Sequence, residues 1–276
     1  MHVMNRFPAR ACAVAAAGVA LSTVAVTAAS ASGGGAAAIH PGALRPAGIV
    51  AGHSAAAWPA SQDHAIGRIT AAPIRSRVFA GHLTAVTAGS ATSSAATFTV
   101  PALSCTTANR AITPSAGVDA NNSKTYSSAF LFIGCANGKV VYFPGLIANG
   151  AEANYTSTHF SAGDVINLSA SLTTSGFTAQ VTDVTKSVSV TNTITGAGAS
   201  ANAAWIGYGA WFINETRLGV PNFGKVKFTN CLIDGTALQT WNPQQYQRVN
   251  AKGIVQIATG PFSPAPAAFA TYYRHQ

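Results

Sequence analysis

Residues 165–194 read VINLSASLTTSGFTAQVTDVTKSVSVTNTI. Apolar and polar side chains alternate from Val165 to Thr173, and the alternation returns over 177–182 and 188–194. In an extended strand successive side chains point to opposite faces, so each segment has one apolar and one hydrophilic face. Ser175-Gly176 separates the first two segments and is typical of a tight turn. This stretch predicts antiparallel strands that are buried on one side.

Short strands are predicted along the chain from Arg75 onward: residues 126–133 are a Phe-rich apolar run typical of a buried strand, and the other segments continue the alternation. Further strands are predicted at 126–133, 226–232, 254–257 and 269–273, with turns at 137–138, 149–150 and 161–164. No window of the sequence supports a long amphipathic helix. Many short strands separated by turn residues indicate a sandwich or a barrel, and the fold class predicted is an all-β, antiparallel two-sheet sandwich.

The N-terminus has the features of an export signal. Arg6 and Arg10 precede an uncharged, small-residue stretch over 11–29, and Ala29-Ser30-Ala31 is the small-x-small pattern that signal peptidase accepts. We predict that residues 1–31 are a cleaved signal peptide and that the protein is secreted, either extracellular or associated with the cell wall. A retained membrane anchor is the less favoured interpretation, because the stretch is rich in Ala and Thr and no basic stop-transfer cluster follows.

Two regions follow the predicted signal. Residues 32–75 are rich in Ala, Gly and Pro without an apolar period, which predicts a linker or a propeptide. Residues 76–276 are predicted to form the β-sandwich domain.

Charge and composition limit the possible partners. Charged residues make up 8% of the chain, against about 25% in average soluble domains. The net charge is +9, and +7 without the two arginines of the signal, but the basic residues are scattered and argue against nucleic acid. No later stretch reaches the roughly 18 apolar residues of a membrane span. No Cys or His spacing resembles a metal site, so no metal and no cofactor is expected.

Three cysteines lie outside the predicted signal: Cys105, Cys135 and Cys231. Export into an oxidising compartment predicts one disulfide and one remaining thiol. The sequence leaves all three pairings open.

Few residues could serve as catalytic acids. The chain has 7 carboxylates, of which Asp164, Asp183 and Asp234 lie at turns, where such side chains bond nearby backbone. Asp63 lies in the predicted linker, which leaves Asp119, Glu152 and Glu215 as candidates. Three scattered acids argue against a paired-carboxylate glycosidase, and no Gly-x-Ser-x-Gly elbow indicates a serine hydrolase.

Several short motifs between residues 77 and 232 follow one another in a recognisable order. They are Arg77-Val-Phe-Ala-Gly81, Thr97-Phe-Thr-Val-Pro101, Ala116-Gly-Val-Asp119, Phe160-Ser-Ala-Gly-Asp-Val-Ile166, Val184-Thr185, Ala203-Ala-Trp-Ile206 and Asn222-Phe-Gly-Lys-Val-Lys-Phe-Thr229. In this order the chain resembles the glutamic endopeptidases, the eqolisin or peptidase A4-type family, as a divergent bacterial-type member. The resemblance implies a concanavalin A-like sandwich with the active site on its concave sheet.

The family mechanism, as the resemblance implies, uses a Glu as general base and a Gln amide that stabilises the oxyanion. The family's Gln position is occupied here by Phe132 and its Glu position by Tyr208, so the catalytic pair is predicted to be lost. A second alignment places Glu215 at the base position, which leaves an active acid endopeptidase as an alternative, with Gln180 or Asn137 supplying the amide.

The leading hypothesis is a catalytically degenerate eqolisin-like protein that acts in binding, as a monomer. Trp205, Tyr208, Trp211 and Asp119 are its predicted binding residues, since aromatic rings beside glycines suit a peptide side chain or a sugar. The ligand expected is a peptide, a protein or a cell-wall polysaccharide. A lectin-like carbohydrate-binding module is the second alternative.

Overall fold

The structure, a computed structural model, describes residues 72–120, 125–149, 151–155, 160–196, 198–210, 212–213, 216–263 and 267–274. The regular elements in these ranges are β-strands, together with a short 3-10 helix at Leu238–Trp241. The strands are β1 (Ile74–Ser76), β2 (Phe79–Ala85), β3 (Ser93–Thr99), β4 (Arg110–Asp119), β5 (Tyr126–Ala136), β6 (Lys139–Ala148), β7 (Ala151–Asn154), β8 (Val165–Thr173), β9 (Gly176–Asp183), β10 (Val188–Thr195), β11 (Ala203–Gly209), β12 (Phe212–Ile213), β13 (Thr216–Arg217), β14 (Lys225–Ile233), β15 (Thr236–Ala237), β16 (Gln244–Val249), β17 (Val255–Ser263) and β18 (Ala268–Tyr273).

Most strands form one hydrogen-bonded path that folds over into two layers. Its order is β10-β9-β8-β3-β14-β18-β17-β16-β2-β11-β4-β5-β6-β7, with β1 beside β16 and β15 beside β14. Strands β4 and β5 contact β8 without sharing hydrogen bonds with it, so they belong to facing layers. The predicted antiparallel two-layer sandwich is confirmed.

The core between the layers comes from the alternation seen in the sequence. In β8 the side chains of Ile166, Leu168, Ala170 and Leu172 are buried while their neighbours are partly or fully exposed. Asn137 and Gly138 both have positive φ, at 52° and 76°, as a two-residue hairpin turn between β5 and β6 requires. The predicted strands at 126–133, 226–232 and 269–273 match β5, β14 and β18 within three residues, whereas β17 extends six residues beyond the predicted end at 257.

The sequence does not predict how the two layers join. Strand β17 pairs with β16 on one side and with β18 on the other, and both pairings contain an irregularity in register. Such irregularities bend and twist a strand, and β17 is the strand at which the path passes from one layer to the other. The β1–β16 pair is parallel, which also had no signal in the sequence.

One disulfide links Cys105 to Cys135, with a Cα–Cα distance of 5.4 Å, and Cys231 is a buried free thiol. The bridge fixes the loop before β4 to the end of β5. One disulfide and one thiol were expected, and the structure selects the pair. In the part of the chain that the structure describes, no helix is long and apolar enough to cross a membrane.

Candidate functional site

The layer formed by β2, β11, β4, β5 and β6 has a second apolar face that points away from the sandwich core. Its buried side chains form one cluster, which we call the aromatic face: Phe79, Leu83, Ala111, Tyr126, Phe130, Phe132, Phe143, Ile147, Trp205, Leu218 and Tyr246. Strands that are buried on both sides read as nearly continuous apolar runs. This explains the continuous apolar run Ala129-Phe-Leu-Phe-Ile133 in β5, which the alternating strands do not share.

Phe132 lies on β5 and belongs to the aromatic face. Its ring stacks on that of Phe143, its direct partner on β6, with centroids 4.5 Å apart and planes 9° from parallel. Phe132 is 3% exposed. Its ring also covers Gly134, where an added Cβ would lie 2.4 Å from the phenyl carbons. The position therefore presents a packed hydrocarbon surface, with no group that could donate a hydrogen bond.

Two further rings lie against glycines of neighbouring strands. Trp205 pairs directly with Gly117, where a Cβ would lie 2.1 Å from the indole ring. Phe130 pairs directly with Gly145, where a Cβ would lie 2.0 Å from the phenyl ring. Both rings rest on backbone that only glycine leaves bare. Three rings of the aromatic face, those of Phe130, Phe132 and Trp205, therefore lie directly over glycines.

Tyr208 lies on the other face of β11, inside the sandwich. It is fully buried, its ring stacks on Phe223 at 5.4 Å and meets Phe228 edge-on, and its hydroxyl accepts a hydrogen bond of 3.2 Å from Thr271 Oγ1. Burial raises the pKa of this hydroxyl well above its ordinary value. Phe132 and Tyr208 thus lie on opposite faces of one sheet, rather than side by side in a groove as the sequence suggested.

Strand geometry accounts for this placement. Trp205 and Tyr208 are three residues apart, an odd number, so in a regular strand they must point to opposite faces. Trp205 belongs to the aromatic face and is 1% exposed. Neither side chain is accessible to a ligand in this structure, so their predicted binding role has no exposed surface here.

Asp119 ends β4 at one end of the aromatic face. It pairs with Tyr126 on β5 and is 7% exposed. Burial, then the charges of Glu152 and Asp119, raise the pKa of the Tyr126 hydroxyl. Two of the three carboxylates that the sequence left as candidate acids, Asp119 and Glu152, therefore lie close enough to Tyr126 for their charges to raise its pKa. The third, Glu215, lies outside the described residues, as does Trp211.

The amides proposed as substitutes for a catalytic Gln lie elsewhere. Gln180 is on β9 of the other layer, and its Nε2 donates a 3.1 Å hydrogen bond to Thr191 Oγ1. Asn137 occupies the hairpin turn between β5 and β6. The aromatic-face side of β16 carries an amide that the sequence did not single out: Gln244 Oε1 accepts a 3.1 Å hydrogen bond from the hydroxyl of Tyr246, two residues along the strand.

Metal-binding groups are not gathered in the described residues, where no cluster of three or more His, Cys, Asp or Glu side chains occurs. His82 is buried on β2, and its Nε2 lies 3.1 Å from the carbonyl oxygen of Gly260. Its ring packs against Phe262 and Phe269. Burial lowers the pKa of this imidazole to about 4. His82 is a core residue.

Comparison with known proteins gives one family. The sequence pattern of the Peptidase A4 family matches residues 77–259 of this chain. A crystal structure of scytalido-glutamic peptidase with a transition state analogue inhibitor superimposes with a TM-score of 0.59 at 15% identity, covering 72% of this chain and 98% of that one.

A second solved structure gives the same result. SCP-B, a member of the eqolisin family in complex with the tripeptide Ala-Ile-His, has a TM-score of 0.58 at 16% identity, over 72% of this chain and 98% of its own. At such identities these likenesses concern the fold. No protein of curated function matches the chain in sequence.

Proposed function

Because the chain belongs to the peptidase A4 family, we propose that it is a secreted member that has lost the glutamic peptidase mechanism and acts by binding. One observation carries the proposal. Phe132, which the sequence resemblance puts at the family's Gln position, is a packed phenyl ring stacked on Phe143. A phenyl ring cannot polarise a scissile carbonyl or stabilise the oxyanion of a tetrahedral intermediate.

The residue at the family's Glu position supports the same proposal. Tyr208, at the family's Glu position by the same resemblance, is buried on the opposite face of β11. A phenol whose pKa is raised by burial is a poor general base at any pH below that pKa, because it has no charge with which to activate water. Activity would then depend on Glu215.

The rim of the aromatic face, rather than its rings, is the part that a ligand would contact. Trp205 is almost fully buried, so an open stacking platform for a sugar is not favoured. Polar groups lie at the edges of this face, including Asp119 beside Tyr126 and Gln244 beside Tyr246. We therefore favour a peptide or protein ligand over a polysaccharide.

The test is an acid-pH cleavage assay on a denatured protein substrate with the full chain and with Glu215→Ala. We expect no cleavage above background from either protein, because Phe132 and Tyr208 supply neither an amide nor a carboxylate at the family's two catalytic positions. Cleavage by the wild type that is lost in Glu215→Ala would establish an active peptidase and overturn the proposal. Retention on cell-wall glycan without cleavage would favour the carbohydrate-binding alternative instead.

Secretion is tested by N-terminal sequencing of the protein recovered outside the cells. The sequence pattern predicts a chain that begins at Ser32 if only the signal is removed. A start near residue 76 would identify 32–75 as a propeptide. A full-length chain retained in the cell would contradict the predicted export.

A further inference from the structure

Arg248 is a fully buried arginine on β16. It lies on the same side of that strand as Tyr246 of the aromatic face, two residues away. Its Nη2 donates a 2.8 Å hydrogen bond to the carbonyl oxygen of Leu218, another member of that face. Its Nε and Nη1 have no hydrogen-bond partner. Three N–H donors of a guanidinium group are thus withdrawn from water and left unpaired, which is costly for a charged group.

Arg217 lies close enough to repel Arg248, and Arg77 lies close enough to repel Arg217. Arg217 Nη1 donates hydrogen bonds to the backbone oxygens of Arg77 and, at 3.4 Å, of Val249, the residue after Arg248. Burial and then the charge of Arg217 lower the pKa of Arg248 to about 9. Burial and then the charge of Arg77 lower the pKa of Arg217. Three positive charges are therefore gathered at one corner of the sheet.

The described carboxylates do not neutralise this corner. Asp164 and Asp183 lie beside Lys186, and Asp234 accepts hydrogen bonds from Thr92 and Ser93. Asp119 and Glu152 act on Tyr126, at the opposite end of β4 from Arg110, which bridges to Gly219 next to Leu218. Among the described residues, none of the ion pairs involves Arg77, Arg217 or Arg248.

Buried charges in proteins are normally paired, since an unpaired one loses its hydration without compensation. An arginine with free N–H donors is well suited to a planar or tetrahedral oxyanion. We propose that Arg248, with Arg217 beside it and Arg77 next to Arg217, forms an anion-binding site at the edge of the aromatic face that takes a single oxyanion group. The oxyanion is either a free inorganic anion or the carboxylate of a peptide ligand.

The site is tested by thermal unfolding of the full chain in phosphate and in chloride at equal ionic strength. A ligand that binds only the folded state raises the midpoint with its concentration. We expect phosphate to raise the midpoint of the wild type by a few degrees, with the affinity measured by calorimetry. Arg248→Met, which keeps much of the side-chain volume, is expected to bind phosphate at least about tenfold more weakly.

The matched control is Arg75→Met, an exposed arginine on β1 outside the interacting group. It removes the same charge and should leave phosphate binding unchanged, which separates a specific site from a general salt effect. If Arg248→Met does not fold, Arg217→Met provides the second variant and should weaken phosphate binding several-fold. Equal stabilisation of the wild type and the foldable variant, or no stabilisation of the wild type, would overturn the proposal.

The two sources of the oxyanion are separated by peptides. A short peptide with a free C-terminal carboxylate, its C-terminal amide and the same amide with an internal Glu are each titrated into the full chain with and without phosphate. Competition between phosphate and either carboxylate peptide assigns the site to a ligand-borne carboxylate. Binding of phosphate without competition assigns it to a free anion. Both readouts are independent of proteolysis, so they stand whether or not the proposed loss of catalysis is correct.

Discussion

At the scale of single residues, the contact between a ring and a glycine defines the aromatic face. Trp205 lies on Gly117 so closely that a methyl group there would overlap the indole. Phe130 and Phe132 repeat the arrangement over Gly145 and Gly134. In each case the ring fills the space above a glycine and shields the backbone there from water. Trp205–Gly117 and Phe130–Gly145 are cross-strand pairs, whereas Phe132 and Gly134 lie two residues apart on β5.

The first prediction concerns Gly117→Ala. The new methyl group must displace the Trp205 ring from a packed face, and overpacking of this kind should cost about 2–3 kcal/mol of unfolding free energy. In the background of Trp205→Leu, which removes the ring, the same change should cost less than about 1 kcal/mol. Urea unfolding of the four proteins of this double-mutant cycle measures the difference. Equal costs in both backgrounds would show that the ring does not rest on Gly117.

Residue-level prediction from the sequence succeeded where local chemistry decides the structure. Asp164 and Asp183 accept hydrogen bonds from the backbone N–H of Ser161 and Lys186 within their own turns, as short acidic side chains at turns do. Carrying family positions over one by one predicted that Phe132 and Tyr208 share a groove, whereas they lie on opposite faces of the sheet. Alternation along β11 determines which way each side chain points, and the spacing from Trp205 to Tyr208 already contained that information.

At the scale of elements, the disulfide between Cys105 and Cys135 connects a loop to the central strands. Arg110 at the start of β4 pairs directly with Cys135 on β5, so the bridge lies beside the first pair of that ladder. The sequence could not select this pairing, because the choice depends on which strands become neighbours. Cys231 on β14 belongs to the core of the sandwich, away from both.

The second prediction follows from the size of the closed loop. The bridged residues are 30 positions apart, and a loop of this length constrains the unfolded chain by about 3–4 kcal/mol in the chain-entropy model. Cys105→Ser together with Cys135→Ser should lower the unfolding free energy by about that amount. Wild-type protein unfolded and refolded with a reductant is the control and should match the double variant. An unchanged unfolding free energy would mean that the bridge does not form in solution.

At the scale of the whole molecule, the two-layer architecture was predictable from the sequence, but the way in which the two layers join was not. Alternation in β8, β9 and β10 gives one buried face per strand, which is enough to predict a sandwich. The passage from layer to layer through β17 depends on irregular pairing with its neighbours, and a bulge leaves little trace in composition. The second buried face was visible only as the continuous apolar run in β5.

The third prediction concerns the pH range in which the molecule is stable. The pKa of His82 is lowered from 6.5 to about 4 by burial, so the folded state takes up its proton less readily than the unfolded state does. The stability that follows is complete above pH 6.5 and is lost as the pH falls toward 4, by about 3 kcal/mol. Urea unfolding at pH 7.5 and pH 4 should show this loss in the wild type.

The matched variant is His82→Phe, which keeps a ring between Phe262 and Phe269 but cannot take up a proton. It should lose clearly less stability than the wild type over the same pH range. Parallel losses in the two proteins would indicate that other groups govern the acid sensitivity. The acid sensitivity would then come from those groups rather than from the core histidine.

The flat rings over glycines also restrict how this lineage could change. Replacing Phe132 with a glutamine would uncover Gly134, remove the stacking partner of Phe143 and bury an amide among hydrocarbon. On the proposed function, a return to peptide-bond hydrolysis by this route needs coordinated changes on two strands, because Phe132 lies on β5 and its stacking partner Phe143 on β6. A single substitution of Phe132 by glutamine is therefore expected to lower stability without supplying a complete catalytic pair.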